Sequence, residues 1–123
     1  MNAVAVRLFL GATITIASAS IGAACGADGP TTTLGRGEAV YGANCAQCHG
    51  DDLAGTDRGP SLLEPIYGPD QLTDAEAADA VRNGVDEARW EFGPMPANGA
   101  ITDAQIETIL AFVRAEQSGD PAN

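Results

Sequence analysis

Five consecutive residues, Cys45-Ala46-Gln47-Cys48-His49, limit this chain more than any other feature. They form a C-x-x-C-H motif. On a helix, positions three apart share a face, with side chains roughly 5–6 Å from each other. Two thiols are thus presented side by side, with an imidazole one residue further on. A structural zinc site needs four ligands, usually from a second Cys or His pair. This chain has three Cys and one His, and the remaining Cys25 lies beyond a Gly-rich stretch. A thioredoxin-like redox pair belongs in a βαβ setting, and no segment alternates with period two over a useful length. A plain Cys45–Cys48 disulfide leaves His49 without a role.

The reading that uses all three side chains is covalent attachment of haem c. Cys45 and Cys48 add to the two vinyl groups of one porphyrin, and His49 reaches the iron from the same side. A second axial ligand then has few sources. The chain contains no second His and no Lys, and its two Met are Met1, at the start of an export segment, and Met95. Met95 lies in Gly93-Pro94-Met95-Pro96. Proline fixes φ near about −65° and cannot continue a helix, so this is a stiff, extended loop with little entropy left to lose on ligation. The bland alternative, Met95 as a core gap-filler, suits a proline-bracketed backbone poorly. A His/Met pair raises the iron's reduction potential relative to harder ligand sets.

Composition supports a ring-filled interior. At 123 residues the chain has the length of one domain, yet aromatic residues are only 5 %. A buried macrocycle supplies apolar volume that the side chains do not. Seventeen acidic residues against six Arg give a formal net charge of −11, a surface that repels nucleic acid and anionic lipid headgroups. Asp51 and Asp52 raise the idea of calcium but read more simply as surface charge. There is no nucleophilic triad and no phosphate-binding loop.

The N-terminus reads as a targeting segment. Residues 1–24 have one early Arg, an uncharged apolar middle and a small-residue end. Thr13, Thr15, Ser18 and Ser20 favour a removable signal over a permanent span of about 20 apolar residues. An uncleaved anchor is the alternative. Gly22-Ala23-Ala24-Cys25 resembles the lipobox of bacterial lipoproteins, with Gly22 where Leu is usual, and this implies lipidation of Cys25; the alternative is an incidental small residue near a cleavage site. Residues 25–33 then form a flexible linker, 34–117 the folded domain and 118–123 a frayed tail.

Three helices can be placed. The first covers roughly residues 35–47, weakened by Gly35 and Gly37, where glycine signals the close approach of another backbone. The second starts after Thr73, whose Thr73-Asp74-Ala75-Glu76 run is a capping box. It turns Ala77, Ala80 and Val81 to one face and closes at Asn83-Gly84, with Gly84 suited to a left-handed cap. The third follows a second capping box, Thr102-Asp103-Ala104-Gln105. It carries Ile106, Ile109, Leu110 and Val113 as an apolar stripe widened by Phe112. The domain is therefore all-α.

With these elements in order, the chain resembles the class I c-type cytochromes of the small bacterial, monohaem kind, over about residues 34–117. The resemblance rests on Gly37 and Tyr41 ahead of Cys45, and on the attachment motif followed by Gly50. It extends to Gly59-Pro60-Ser61-Leu62, to Val81-Arg82-Asn83-Gly84-Val85 before the Met loop, and to Ile109 and Phe112 on the last helix. It implies a cytochrome c-like fold of three to four helices wrapped around one covalent haem. In that family the Pro carbonyl of the Gly-Pro-x-Leu loop accepts a hydrogen bond from the proximal His ring, which implies this role for Pro60. The last helix crosses the first near its glycine. Arg58 resembles an Arg that bonds a haem propionate, and reads equally as a solvated loop charge. Trp90 is a candidate propionate donor or a packing residue against the ring or core.

With both axial positions filled, the iron offers substrate no open site. The expected function is one-electron transfer outside the cytoplasm, as a carrier and not an enzyme in its own right. The protein is expected to be an exported monomer, periplasmic or at the extracytoplasmic face of the membrane, held there by its N-terminal anchor or lipid. It meets a redox donor and acceptor with basic or apolar docking faces. The alternative is a haem-c subunit of a larger oxidoreductase. A gas sensor or enzyme in which Met95 leaves the iron is disfavoured by Pro94 and Pro96.

Overall fold

The computed structural model describes residues 32–86 and 91–119. Among these residues four helices follow one another: α1 (Thr33–Asn44), α2 (Ala46–His49), α3 (Asp74–Asn83) and α4 (Asp103–Ser118). A single 3-10 turn, Pro65–Tyr67, interrupts the long connection between α2 and α3. Among the described residues there is no strand, only two isolated bridges, Thr56 with Gly59 and Val85 with Met95. The chain is all-α, as its lack of period-two patterning requires.

Both capping boxes form. The Thr73 hydroxyl accepts from the Glu76 N–H and Glu76 Oε2 accepts from the Thr73 N–H at 2.8 Å. Thr102 and Gln105 do the same at the head of α4. Each box satisfies two backbone donors that a helix start otherwise leaves orphaned. Thr32 caps α1 by accepting from the Gly35 N–H at 3.0 Å, so that helix begins two residues ahead of the expected start.

Four local expectations are corrected. The first helix does not run unbroken to Gln47. Cys45, at φ −116°, breaks it, and α2 restarts on the Cys45 carbonyl, which accepts from Cys48 and His49 N–H at 3.0 and 2.9 Å. Gly84 has a positive φ of 76° but an extended ψ of −177°, because the chain leaves α3 straight into pairing with the Met95 loop. On α3 the buried residue is Ala78, flanked by half-buried Ala77, Ala80 and Val81. Ser118, expected in the tail, is the last residue of α4, and Gly119 supplies the left-handed end.

The core is built on α4. Ile106, Ile109, Phe112 and Val113 are buried there, with Tyr41, Ala46, Leu53, Ala78 and Ile101 around them and Leu110 at the margin. Fully burying side chains of this size contributes about 1.5–3 kcal/mol each. α1 and α3 both pack on α4, but not on each other. The α1–α4 crossing is close: a Cβ at Gly37 would collide with the Thr108 carbonyl and stand 2.9 Å from Phe112 Cβ. The sequence placed this crossing opposite Ile109 and Phe112. The backbone directly beneath Gly37 is that of Thr108. Tyr41, one turn on, stacks at a tilt against Phe112 with ring centroids 5.4 Å apart.

Candidate haem site

Cys45 caps α2 and Cys48 and His49 lie on it, so the two thiols stay one turn apart despite the break in the helix. Both are free and half-buried. Burial, and secondarily the charge of Cys48, pushes the Cys45 thiol up to about 11.

Residues 50–62 fold back beneath this turn. The buried Tyr41 hydroxyl donates to the Gly50 carbonyl at 2.7 Å; burial keeps the phenol protonated well above its ordinary range, so it remains a donor. Thr56 Oγ1 donates to the Cys48 carbonyl at 2.7 Å, and the Gly55 N–H to the His49 carbonyl at 2.8 Å. Leu53, wholly buried at φ 60°, anchors the loop from inside. A non-glycine residue in that region costs about 1–2 kcal/mol, and the interior packing of its side chain offsets it. The Leu53 carbonyl accepts from both the Leu62 N–H (2.8 Å) and Ser61 Oγ (3.1 Å).

Between Leu53 and Leu62 the loop delivers Pro60. Its carbonyl lies 2.9 Å from His49 Nδ1. A carbonyl can only accept, so Nδ1 carries the proton and donates, and Nε2 keeps its lone pair for a metal. Arg58, by contrast, is exposed, with its backbone N–H donating to Thr56 Oγ1. Cys25 and Trp90 lie outside the described residues.

Met95 is half-buried on the loop after α3. It exchanges two backbone hydrogen bonds with Val85, at 2.9 and 3.0 Å. The Asn98 N–H donates to the Val81 carbonyl at 2.8 Å, tying the far end of the loop to α3. Asn98 Nδ2 also reaches Asn44 Oδ1 at 3.5 Å, a long contact. Asn44 immediately precedes Cys45, so the Met95 loop and the Cys-His turn, fifty residues apart in sequence, meet at this pair.

These residues fit a haem. A protonated Nδ1 held by a carbonyl aims the opposite ring nitrogen at a metal. Both thiols are free, and among the described residues no group of three His, Cys, Asp or Glu is placed to hold a metal ion by itself. Large apolar side chains stand exposed beside the ligand loops: Leu63 after Pro60, Val85 paired with Met95, and Phe92. Sequence reasoning missed Leu53, Thr56 and Asn98. Only Thr56 carried any signal, as a turn-forming Thr three residues before Gly59.

Comparison with known proteins agrees with this geometry. The family model "Cytochrome C oxidase, cbb3-type, subunit III" matches residues 32–113. The Cbb3-type cytochrome c oxidase subunit CcoP of Cereibacter sphaeroides is 32 % identical over 100 residues, covering 77 % of this chain and 31 % of the relative. That of Rhodobacter capsulatus is 31 % identical over 87 residues, covering 68 % and 29 %. The chain therefore spans just under a third of the length of these relatives. Among solved structures, the c-type cytochrome XoxG from Methylobacterium extorquens AM1 superposes with a TM-score of 0.58 at 24 % identity. That match covers 72 % of this chain and 52 % of XoxG, and it shows a shared cytochrome c-like fold. From the match across most of its folded residues, the chain belongs to the cytochrome c oxidase, cbb3-type, subunit III family.

Proposed function

We propose that this domain carries single electrons on one covalent haem c, with Cys45 and Cys48 as attachment points and His49 and Met95 as axial ligands. The observation that carries this reading is the 2.9 Å bond from His49 Nδ1 to the Pro60 carbonyl. It fixes the one tautomer that leaves Nε2 for iron, one residue past the paired thiols. When bound, the haem supplies a one-electron redox centre whose potential depends on its axial ligands, their hydrogen bonds and burial. The protein's part is to hold His49 through Pro60, to hold Met95 through Val85, and to surround the ring with apolar side chains. Arg58 and Trp90 are proposed as partners of the propionates.

The test is an optical spectrum with haem quantitation on the purified chain, matured beside a haem-ligation apparatus. One haem per chain is expected. Met95→Ala should remove the far-red sulfur-to-iron absorption band and lower the potential. A colourless mature protein, or a Met95→Ala spectrum like wild type, overturns the assignment.

A second reading is favoured by the relatives themselves, which are subunits of an oxidase. In it the domain passes electrons within a larger extracytoplasmic or membrane oxidoreductase. Co-purification at a fixed ratio with a catalytic subunit distinguishes this from a free carrier. In both readings the site lies outside the cytoplasm, with the N-terminal segment exporting the domain and Cys25 lipidated. Mass spectrometry of the mature N-terminus tests this: lipid on Cys25 supports it, and an unmodified terminus downstream of Cys25 ends it.

A further inference from the structure

The thirteen positions from 61 to 73 contain only one short 3-10 turn, so most of their carbonyls lack partners within a regular element. Three of those carbonyls are taken by the end of α4. Arg114 Nη1 donates to the Tyr67 carbonyl at 2.7 Å and Nη2 to that of Leu72 at 2.6 Å, while Nε pairs with Asp74 Oδ1 at 2.8 Å. Nη1 also donates to Gln117 Oε1 at 2.7 Å. Gln117, with its oxygen so held, turns Nε2 onto the Leu62 carbonyl at 2.7 Å and the Tyr67 carbonyl at 3.0 Å. The Arg114 side chain is only 18 % exposed. A guanidinium that places every nitrogen on a partner while largely removed from solvent forms a fixed fork.

Leu62 is thereby held at both ends. Its N–H is bound to the Leu53 carbonyl, and its own carbonyl is bound to Gln117. Two residues earlier is Pro60, whose carbonyl accepts from His49 Nδ1. The order of contacts is Arg114, Gln117, Leu62, Pro60, His49.

We propose that Gln117, fixed by Arg114, is a positioning residue for His49: it holds the Leu62 carbonyl and so sets where the Pro60 carbonyl meets the imidazole. The inference rests on His49 being the proximal ligand. A hydrogen bond on the outer nitrogen of a metal-bound imidazole increases its donation to the metal and favours the oxidised state. Loosening Leu62 weakens that bond, and the reduction potential rises.

The experiment uses the full haem-loaded chain with Gln117→Glu. The carboxylate still accepts from Arg114 but has no N–H for Leu62 or Tyr67. Two readouts are taken: the midpoint potential, and solvent exchange of the His49 Nδ1 proton followed as an iron-shifted NMR resonance. The potential is expected to rise and exchange to quicken about fivefold, the equivalent of one net hydrogen bond. Asp74→Ala, which removes the acceptor that ties Arg114 Nε to α3 and leaves Gln117 in place, is expected to lower the unfolding temperature and leave both readouts at wild-type values. Gln117→Ala replaces the Glu variant if that one does not accumulate. If potential and exchange stay unchanged while stability falls, or if neither Gln117 variant accumulates as haem protein, the pair is a folding clasp and the positioning role is overturned. If the wild-type protein itself shows no iron-shifted His49 resonance, it is the ligand assignment that fails, before any variant is judged.

Discussion

The backbone of Gly84 lies against the carbonyl of Met95, so close that a Cβ on Gly84 would stand 2.6 Å from that oxygen and 2.8 Å from the Ala97 nitrogen. Gly84 also sits at φ 76°, where a side chain is strained in any case. The residue that ends α3 therefore also sets the position of the Met loop. Gly84→Ala is expected to push the loop away from α3 and cost about 1–3 kcal/mol from strain and overpacking. The far-red sulfur-to-iron band should weaken, with CO binding by the reduced protein as a second measure of Met95 release.

Tyr41 tests the support beneath the Cys-His turn. Its hydroxyl is the partner of the Gly50 carbonyl inside the core. Tyr41→Phe keeps the ring against Phe112 and removes the shorter of two hydrogen bonds to that carbonyl, which retains the Leu53 N–H at 3.2 Å, at about 0.5–1.5 kcal/mol. Thermal unfolding of the haem-loaded protein should show the loss, with the optical spectrum little changed, because His49 remains on Pro60.

The head of α3 gives a pH dependence with a definite sign. The Thr73 hydroxyl and backbone N–H hold the Glu76 carboxyl below its ordinary 4.5. A depressed carboxylate contributes stability that is present above that ordinary value and disappears as pH falls through the folded one. The difference in unfolding temperature between wild type and Glu76→Gln should therefore shrink as the solution is acidified past that ordinary 4.5. Thr73→Ala removes the cap at any pH, at about 1 kcal/mol.

Charge should govern encounter. The formal net charge of −11 contains no Lys, so association with a basic redox partner is expected to slow as ionic strength rises. Stopped-flow electron transfer across a salt series measures this. A flat profile would place docking on apolar surface such as Val85 and Phe92 instead.

The two capping boxes were legible because the signal is local: a hydroxyl and a carboxylate or amide three residues apart compete for the same orphan N–H groups. The α4 stripe was legible for the same kind of reason, since its period matches one helix face. Ala78 was not, because α3 is so rich in Ala that its pattern leaves the face ambiguous. Nor was the break at Cys45, because no Gly or Pro marks it. Leu53 carries no signal for its positive φ, which persists because the interior closes around its side chain.

Sequence alone determined the chemistry on offer: two thiols one turn apart, one imidazole, one thioether between prolines, and helices whose starts are written in four-residue boxes. Those are properties of spacing and of single side chains, which a chain keeps whatever it packs against. The tertiary structure decided which carbonyl receives His49 Nδ1, which helix end grips the intervening loop, and where the Met95 segment meets Asn44. Each of these joins residues far apart in sequence, and such pairings exist only once the core around α4 has brought their backbones within hydrogen-bonding distance.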